Sequence, residues 1–486
     1  MANFLKNNRF LILILLTTFF LRLPSLFEPY WYGDEGIYLT LGLGIRKGLL
    51  LYRDIYDNKP PLIYLLAGLA GSQFWFRFML LISVLASVSI FAGLLKIFFP
   101  KKLSSQKIAL ILFCLFSSLP LIEGNIANAE IFQLLPVLAA LFLLLGKNNP
   151  SRCQSFLAGL LFSLAILFKI PAIFDLAAIV VFLVFFSQPK KLLNLEKNLF
   201  YLLAGVVLPI LLTMLFFAAN NYLKEFVQIA FMQNLGYLSS WQTGSHQISL
   251  LKSGLFQKGL LLLGFLAVLF CLKRKYSSRL ILFSQIWFAF ALFAALLSNR
   301  PYAHYLIQIL PSFCLLIASL FNEKGFVKYL GLALLLGLAI IGFKMRFWIY
   351  PVFSYYRNFG QYTLGQKNLH DYFAFFDQKV PQTYETAAYL LTHTKENEPV
   401  FVWGDEPYLF PLSRRLPPGR MTTAYHILDF KKTEETLKSL KENPPVIIVF
   451  DQNKKGLYPE LENLILNYYL KVKTIGKMDL FRRLDY

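Results

Sequence analysis

Residues 74–99 read FWFRFMLLISVLASVSIFAGLLKIFF, a run interrupted by only two charged side chains, Arg77 and Lys96. A stretch this long and this apolar meets the roughly 20 residues that an α-helix needs to cross a hydrocarbon core. Residues 10–27 and 326–343 have the same texture. The chain's main solvent is therefore lipid. Composition agrees: 57% of the 486 residues are hydrophobic and 15% charged, against roughly 25% charged in an ordinary soluble domain.

Working outward from that run, apolar segments lie near 10–27, 74–99, 107–121, 130–146, 154–169, 171–187, 198–218, 255–272, 280–297, 305–321 and 326–343. They predict a polytopic α-helical membrane protein of about eleven transmembrane helices. The fifth and sixth segments meet at Lys169-Ile170-Pro171, where a broken or re-entrant pair is expected, tolerable only where protein shields the backbone. The first segment follows Lys6 and Arg9 in the manner of a signal peptide but has no A-x-A-like cleavage site, so a retained helix is expected. The four cysteines show neither disulfide nor metal-ligand spacing.

Charge fixes the orientation. With a cytoplasmic N-terminus, the inward turns carry Lys6/Arg9, Lys96/Lys101/Lys102/Lys107, Lys147/Arg152, Lys190/Lys191/Lys197, Lys273/Arg274/Lys275/Arg279 and Lys324/Lys328. That is the positive-inside pattern, and it accounts for much of the +21 net charge through contact with anionic headgroups. A nucleic-acid partner is not expected, because these bases sit between apolar runs rather than on one basic face. An odd number of spans places residues 345–486 outside. The chain thus divides into a transmembrane part, 1–344, with a first outer loop at 28–61, and a small extracytoplasmic domain, 345–486, in the inner (plasma) membrane of a cell.

That outer domain alternates helix (Glu385 to His393), strand (Val400 to Trp403), a loop-helix region with Pro407 and Pro411, helix (Thr433 to Glu442), strand (Val446 to Phe450) and helix (Glu460 to Tyr469). Short buried strands between helices predict an α/β domain.

The acids of the membrane part gather on one side. Glu28, Asp34, Glu35, Asp54, Asp57, Glu123, Glu130, Asp175 and Glu225 all fall on outward loops or helix ends, whereas the inward loops hold chiefly Glu196 and Glu323. Carboxylates beside hydrocarbon are costly, so such a gathering marks a functional face. Four constellations stand out. Tyr32-Gly33-Asp34-Glu35-Gly36 directly follows the first span, and its bland reading is an N-cap and a helix-start charge. Lys59-Pro60-Pro61 closes the same loop; the prolines hold Lys59 extended, where it either binds a phosphate or snorkels at the interface. Glu123 to Glu130 leads into the fourth span, with Glu130 either at the bundle mouth or a helix-start carboxylate. Asn299 to Gln308 places Arg300, His304 and Gln308 at i, i+4 and i+8, one face of an expected helix and a possible anion stripe, or else a structural histidine. Lys169, at the tip of the short pair, is a fifth and weaker candidate.

Asp34-Glu35, Lys59-Pro60-Pro61, Asn128-Ala129-Glu130 and Arg300-Pro301-Tyr302-Ala303-His304-Tyr305, in that order, resemble the GT-C superfamily of integral membrane glycosyltransferases, specifically its bacterial ArnT-like and protein-O-mannosyltransferase-like branch. Val402-Trp403-Gly404 with Ser413-Arg414-Arg415 fits the periplasmic domain of many such proteins. The resemblance implies transfer of a sugar from a polyprenyl-phosphate donor to a lipid, protein or polysaccharide hydroxyl at the outer membrane face, with inversion. It implies Asp34 as general base, with Glu35 and Glu130 the accompanying acids; at Glu130 the ArnT-like enzymes usually carry Asp. It implies Lys59 at the donor phosphate; Arg300, His304 and Lys169 are candidates for the same phosphate on their own charge and placement.

The chemistry is consistent with this division. An attacking hydroxyl must lose its proton to a carboxylate, and a polyprenyl phosphate leaves with help from cations rather than from a general acid. No covalent nucleophile is required. Asp34 and Glu35 are also oxygen ligands of the kind that Mg²⁺ or Mn²⁺ takes; no metal site is assigned. Two other readings compete: a transporter or flippase for a lipid-linked sugar, which would show repeated halves and acids at mid-membrane depth, and a non-enzymatic scaffold, which leaves the acid and lysine loop without a purpose.

Overall fold

A computed structural model describes residues 8–146, 150–186, 192–236, 254–276, 278–298 and 300–484. Lys6, Lys147, Lys190, Lys191, Asn299 and residues 237–253 of the loop after Asn220 lie outside the described residues. Among those described, six helices are long and apolar enough to cross a membrane: Arg9–Phe27, Gln73–Phe98, Glu196–Ala219, Leu255–Lys275, Ala303–Leu320 and Gly325–Met345. Shorter apolar helices, Leu103–Phe116, Ala129–Leu145, Arg152–Phe168, Ile170–Phe185 and Arg279–Ala295, take up the remaining predicted segments.

The surface of these helices is that of a protein solvated by lipid. Leu255–Lys275 and Gly325–Met345 bury little of themselves and leave side chains such as Leu261 and Phe343 almost bare, an apolar area that water would not tolerate. Three segments are not uniform helices. The fourth divides at Gln133 into Ala129–Phe132 and Leu134–Leu145. At the fifth-to-sixth junction, Lys169 is extended (φ −155°, ψ 123°) and Ile170–Ala172 forms a 3₁₀ turn led by Pro171. The tenth begins as a 3₁₀ helix, Ala303–Ile309, before turning α-helical at Leu310–Leu320.

The first outer loop holds two helices of its own. Gly33–Arg46 starts with the acidic pair Asp34-Glu35, favourable at a helix N-terminus. Leu62–Ala70 starts just after Pro60-Pro61 and stops at Gly71 in the left-handed region (φ 69°). The two pack backbone to backbone: a Cβ on Gly42 would stand 2.6 Å from the Gly68 nitrogen. That contact brackets the loop between them and sets Lys59 opposite Asp34.

The C-terminal domain carries a four-stranded sheet of order β1-β2-β4-β3, with β1 at Val400–Trp403, β2 at Ile447–Asp451, β3 at Tyr469–Ile475 and β4 at Met478–Arg483. β1 and β2 are parallel, joined through the helices between them; β4 runs antiparallel to β2 and to β3. One face, Val400, Val402, Ile447, Val449 and Leu480, packs under the helix Val380–His393 through Ala387 and Leu390. The other presents Phe401, Trp403, Ile448 and Phe450 to the larger core. The domain sits on the first outer loop. Thr40 Oγ1 donates to Pro407 O (2.9 Å), Tyr56 N to Arg420 O (2.9 Å), and a Cβ on Gly36 would meet the Tyr408 nitrogen at 2.9 Å.

Candidate functional site

The centre of the site is an ammonium between two carboxylates. Lys59 Nζ lies 3.6 Å from Asp34 Oδ2 and 3.6 Å from Asp57 Oδ2. Its backbone is clamped, because Tyr52 OH donates to Lys59 O (2.7 Å) and Lys59 N to Tyr64 OH (3.0 Å). The ammonium also stands 5.0 Å from the centre of the Tyr38 ring, a cation–π contact. The two acids differ. Asp57 is 1% exposed and accepts from Tyr64 OH (2.7 Å), whereas Asp34 is 27% and Lys59 20% exposed. Burial pushes the Asp34 carboxyl up, but the charges of Lys59, His304 and Lys169 and the Tyr38 hydroxyl outweigh it and hold Asp34 below its ordinary value. Asp34 is thus ionised, partly open, and within electrostatic reach of both halves of the site.

The second half joins the end of the third segment to the tenth. His304 Nδ1 is 2.7 Å from Glu123 Oε2, which also receives Tyr32 OH (2.5 Å) and Asn128 Nδ2 (3.2 Å). His304 Nε2 faces Glu130 Oε1 at 3.4 Å, and Lys169 Nζ pairs with the same oxygen. Lys169 further lies over the Tyr305 ring at 4.3 Å. The extended backbone at Lys169 ahead of Pro171 aims its ammonium at Glu130. Glu123, Tyr32 and Asp57 are members that the sequence did not single out as site residues. Their signal was the general excess of outward acids, which does not say which of them meet.

Two expectations are corrected. Glu35 does not pair with Asp34. Successive helix residues differ in direction by about 100°, and Glu35 turns into the bundle, where Arg77 binds it through Nε (2.9 Å) and Nη2 (2.5 Å) and the Ala127 nitrogen donates to it (2.6 Å). Arg77 also holds Glu28 Oε2 at 2.7 Å. Both oxygens of Glu35 are committed, so it braces the helix start and shares no cation with Asp34. Among the described residues no three His, Cys, Asp or Glu side chains converge as metal ligands.

The Arg300, His304 and Gln308 stripe also fails. Pro301 and Tyr302 are not helical, so Arg300 precedes the helix, and the 3₁₀ turns that follow do not repeat at four residues. Gln308 serves Asp175 Oδ2 (2.7 Å) and Pro171 O (2.9 Å) instead. Arg300 lies close enough to the Tyr305 ring to act on it electrostatically.

No family model matches the sequence, and no curated protein matches it. Solved structures do match. ArnT from Cupriavidus metallidurans bound to undecaprenyl phosphate aligns with a TM-score of 0.58 at 14% identity, covering 98% of each chain. The same protein in the apo state gives 0.57 at 14% identity over 100% of this chain and 99% of that one. The archaeal oligosaccharyltransferase AglB from Archaeoglobus fulgidus, with an inhibitory peptide and a dolichol-phosphate, gives 0.49 at 13% identity over 98% of this chain and 74% of its own. At such identities the likeness to the two ArnT structures establishes a shared fold.

Proposed function

We propose that this chain is an inverting glycosyltransferase, moving a sugar from a polyprenyl-phosphate donor to a hydroxyl acceptor at the outer face of the cytoplasmic membrane. The observation that carries this is the Asp34 and Lys59 pair: a part-exposed carboxylate and a part-exposed ammonium, 3.6 Å apart, at the outer end of the bundle. A hydroxyl attacking an anomeric carbon must lose its proton as the bond forms, and an ionised Asp34 takes it as general base. The departing phosphate gains negative charge, which Lys59 offsets. Glu130, held by Lys169 and His304, sits on the second half of the same centre. Its role is to fix those two side chains on the phosphate side.

The eleven apolar segments as crossings, a cytoplasmic N-terminus and an external 345–486 domain complete the reading. The likeness in fold to a protein crystallised with undecaprenyl phosphate agrees with a lipid-phosphate donor. The acids stay at the outer ends of helices, Asp175 included in the first turn of its own, which suits surface chemistry better than a route across the bilayer. The test is to supply the purified protein with a panel of radiolabelled polyprenyl-phosphate sugars and membrane extract. A labelled acceptor formed from at least one donor is the expected result. Movement of a lipid-sugar between leaflets with no labelled product from any donor would overturn the reading in favour of transport.

A further inference from the structure

We infer that His426, supplied by the C-terminal domain, is a positioning residue for the donor phosphate: it holds Asp57 so that the Lys59 ammonium can be given up to the lipid-borne phosphate. This rests on the donor class proposed above. The domain and the loop are packed as one unit here. Arg420 Nη1 donates to Tyr52 O (3.2 Å), and the Tyr56 ring stands edge-on to the His426 ring, with centroids 5.8 Å apart at 86°.

Two buried groups at that contact lack hydrogen-bond partners. His426 Nδ1 has none, and neither has Asp57 Oδ1, although His426 Nε2 is only 3.6 Å from that oxygen. Both side chains are almost wholly covered, at 3% and 1% exposure. A buried carboxylate oxygen left without a donor is costly, and the His426 Nε2, 3.6 Å away, can supply one as an N–H. At 3.6 Å the contact is longer than a hydrogen bond, and a shift of a few tenths of an ångström closes it.

Charge balance shows what closing it does. Lys59 is the ammonium shared by Asp34 and Asp57, so an arriving phosphate becomes a third anion competing for it. With Tyr64 on one oxygen and His426 on the other, Asp57 is satisfied by neutral donors and its hold on Lys59 weakens. The lysine backbone stays fixed by Tyr52 and Tyr64, so only the side chain needs to turn toward the phosphate.

The probe is undecaprenyl phosphate, titrated into full-length purified protein and read by native mass spectrometry. His426→Phe keeps the ring and removes the donor; the expected result is affinity weaker by roughly tenfold, as for loss of one hydrogen bond to a charged group. His426→Gln restores a side-chain N–H and is expected to recover affinity to within about threefold of wild type, which a merely space-filling role would not give. In an Asp57→Asn background the Phe replacement should change affinity by less than about twofold, because the residue it acts through is gone. Wild-type binding that His426→Phe leaves unchanged, or an equal loss in both backgrounds, overturns the inference and spares the proposed function. A wild type that does not hold the lipid phosphate removes both.

Discussion

The Lys59 and Arg77 centres each set one cation between two carboxylates, yet they are built for opposite purposes. Arg77 is 0% exposed, its guanidinium spread over Glu28 and Glu35 at 2.5 to 2.9 Å with a further bond from Nη1 to Ser25 O at 2.8 Å. Lys59 stands 3.6 Å from both its acids and is part-exposed. A forked guanidinium with every bond made is a strut; a point charge held at arm's length can be handed to another anion. The two lie within the same end of the bundle, and the adjacent residues Asp34 and Glu35 belong one to each. Neighbouring acids in a sequence can thus divide into a reactive and a structural one by the turn of the helix alone.

Breaking the strut should cost most. Arg77→Met leaves Glu28 and Glu35 buried without their cation, and thermal unfolding in detergent should show a loss of about 3–5 kcal/mol. Glu35→Gln, which keeps a hydrogen-bonding amide, should lose less, about 1.5–3 kcal/mol. An Arg77→Met protein as stable as wild type would mean the cluster is not the brace described.

At the exchangeable centre the effect should fall on binding instead. Lys59→Met should raise the donor KM by roughly tenfold to a hundredfold, the range for one lost hydrogen bond to a charged group, with the melting temperature little changed. The same variant sharpens the comparison through pH. Because Asp34 is held below its ordinary value, about 3.9 for a free aspartate, it stays charged as pH falls to that point, and its stabilising contact is lost only below it. Wild-type turnover should therefore show no acid limb from Asp34 above about pH 4. Removing Lys59 leaves burial less opposed, so the limb should move to higher pH; a profile unchanged by the substitution would contradict the pairing. The smallest effect is expected at the seam between loop and domain. Gly36→Ala drives a methyl against the Tyr408 backbone, costing about 1–3 kcal/mol and speeding release of the outer domain in limited proteolysis.

Much of this was legible in the sequence, for physical reasons that also set its limits. The apolar helices and the first two strands follow from period and hydropathy, which are local. Strands β3 and β4 escaped because β3 carries Lys471 and Lys473 on an exposed edge and lacks an apolar run. Arg77, a lone charge within an apolar run, carries no local sign of its partners; only the packing of its helix against residues 28–35 gives it Glu28 and Glu35. His304 was found but misplaced on an α-helical stripe, since the 3₁₀ start of its segment leaves no periodic signature. The convergence of Asp34, Lys59 and Asp57 with His426 depends on a domain hundreds of residues downstream, and no local pattern reports it.

The most direct measurement is single-turnover transfer by Asp34→Asn from the donor that labels product with wild type, beside undecaprenyl-phosphate binding by both proteins. Loss of the carboxylate base should slow transfer by about 10²–10⁴-fold while lipid-phosphate affinity and melting temperature hold. Transfer by the variant at the wild-type rate would contradict the assignment of Asp34 and, with it, the chemistry proposed for this membrane face.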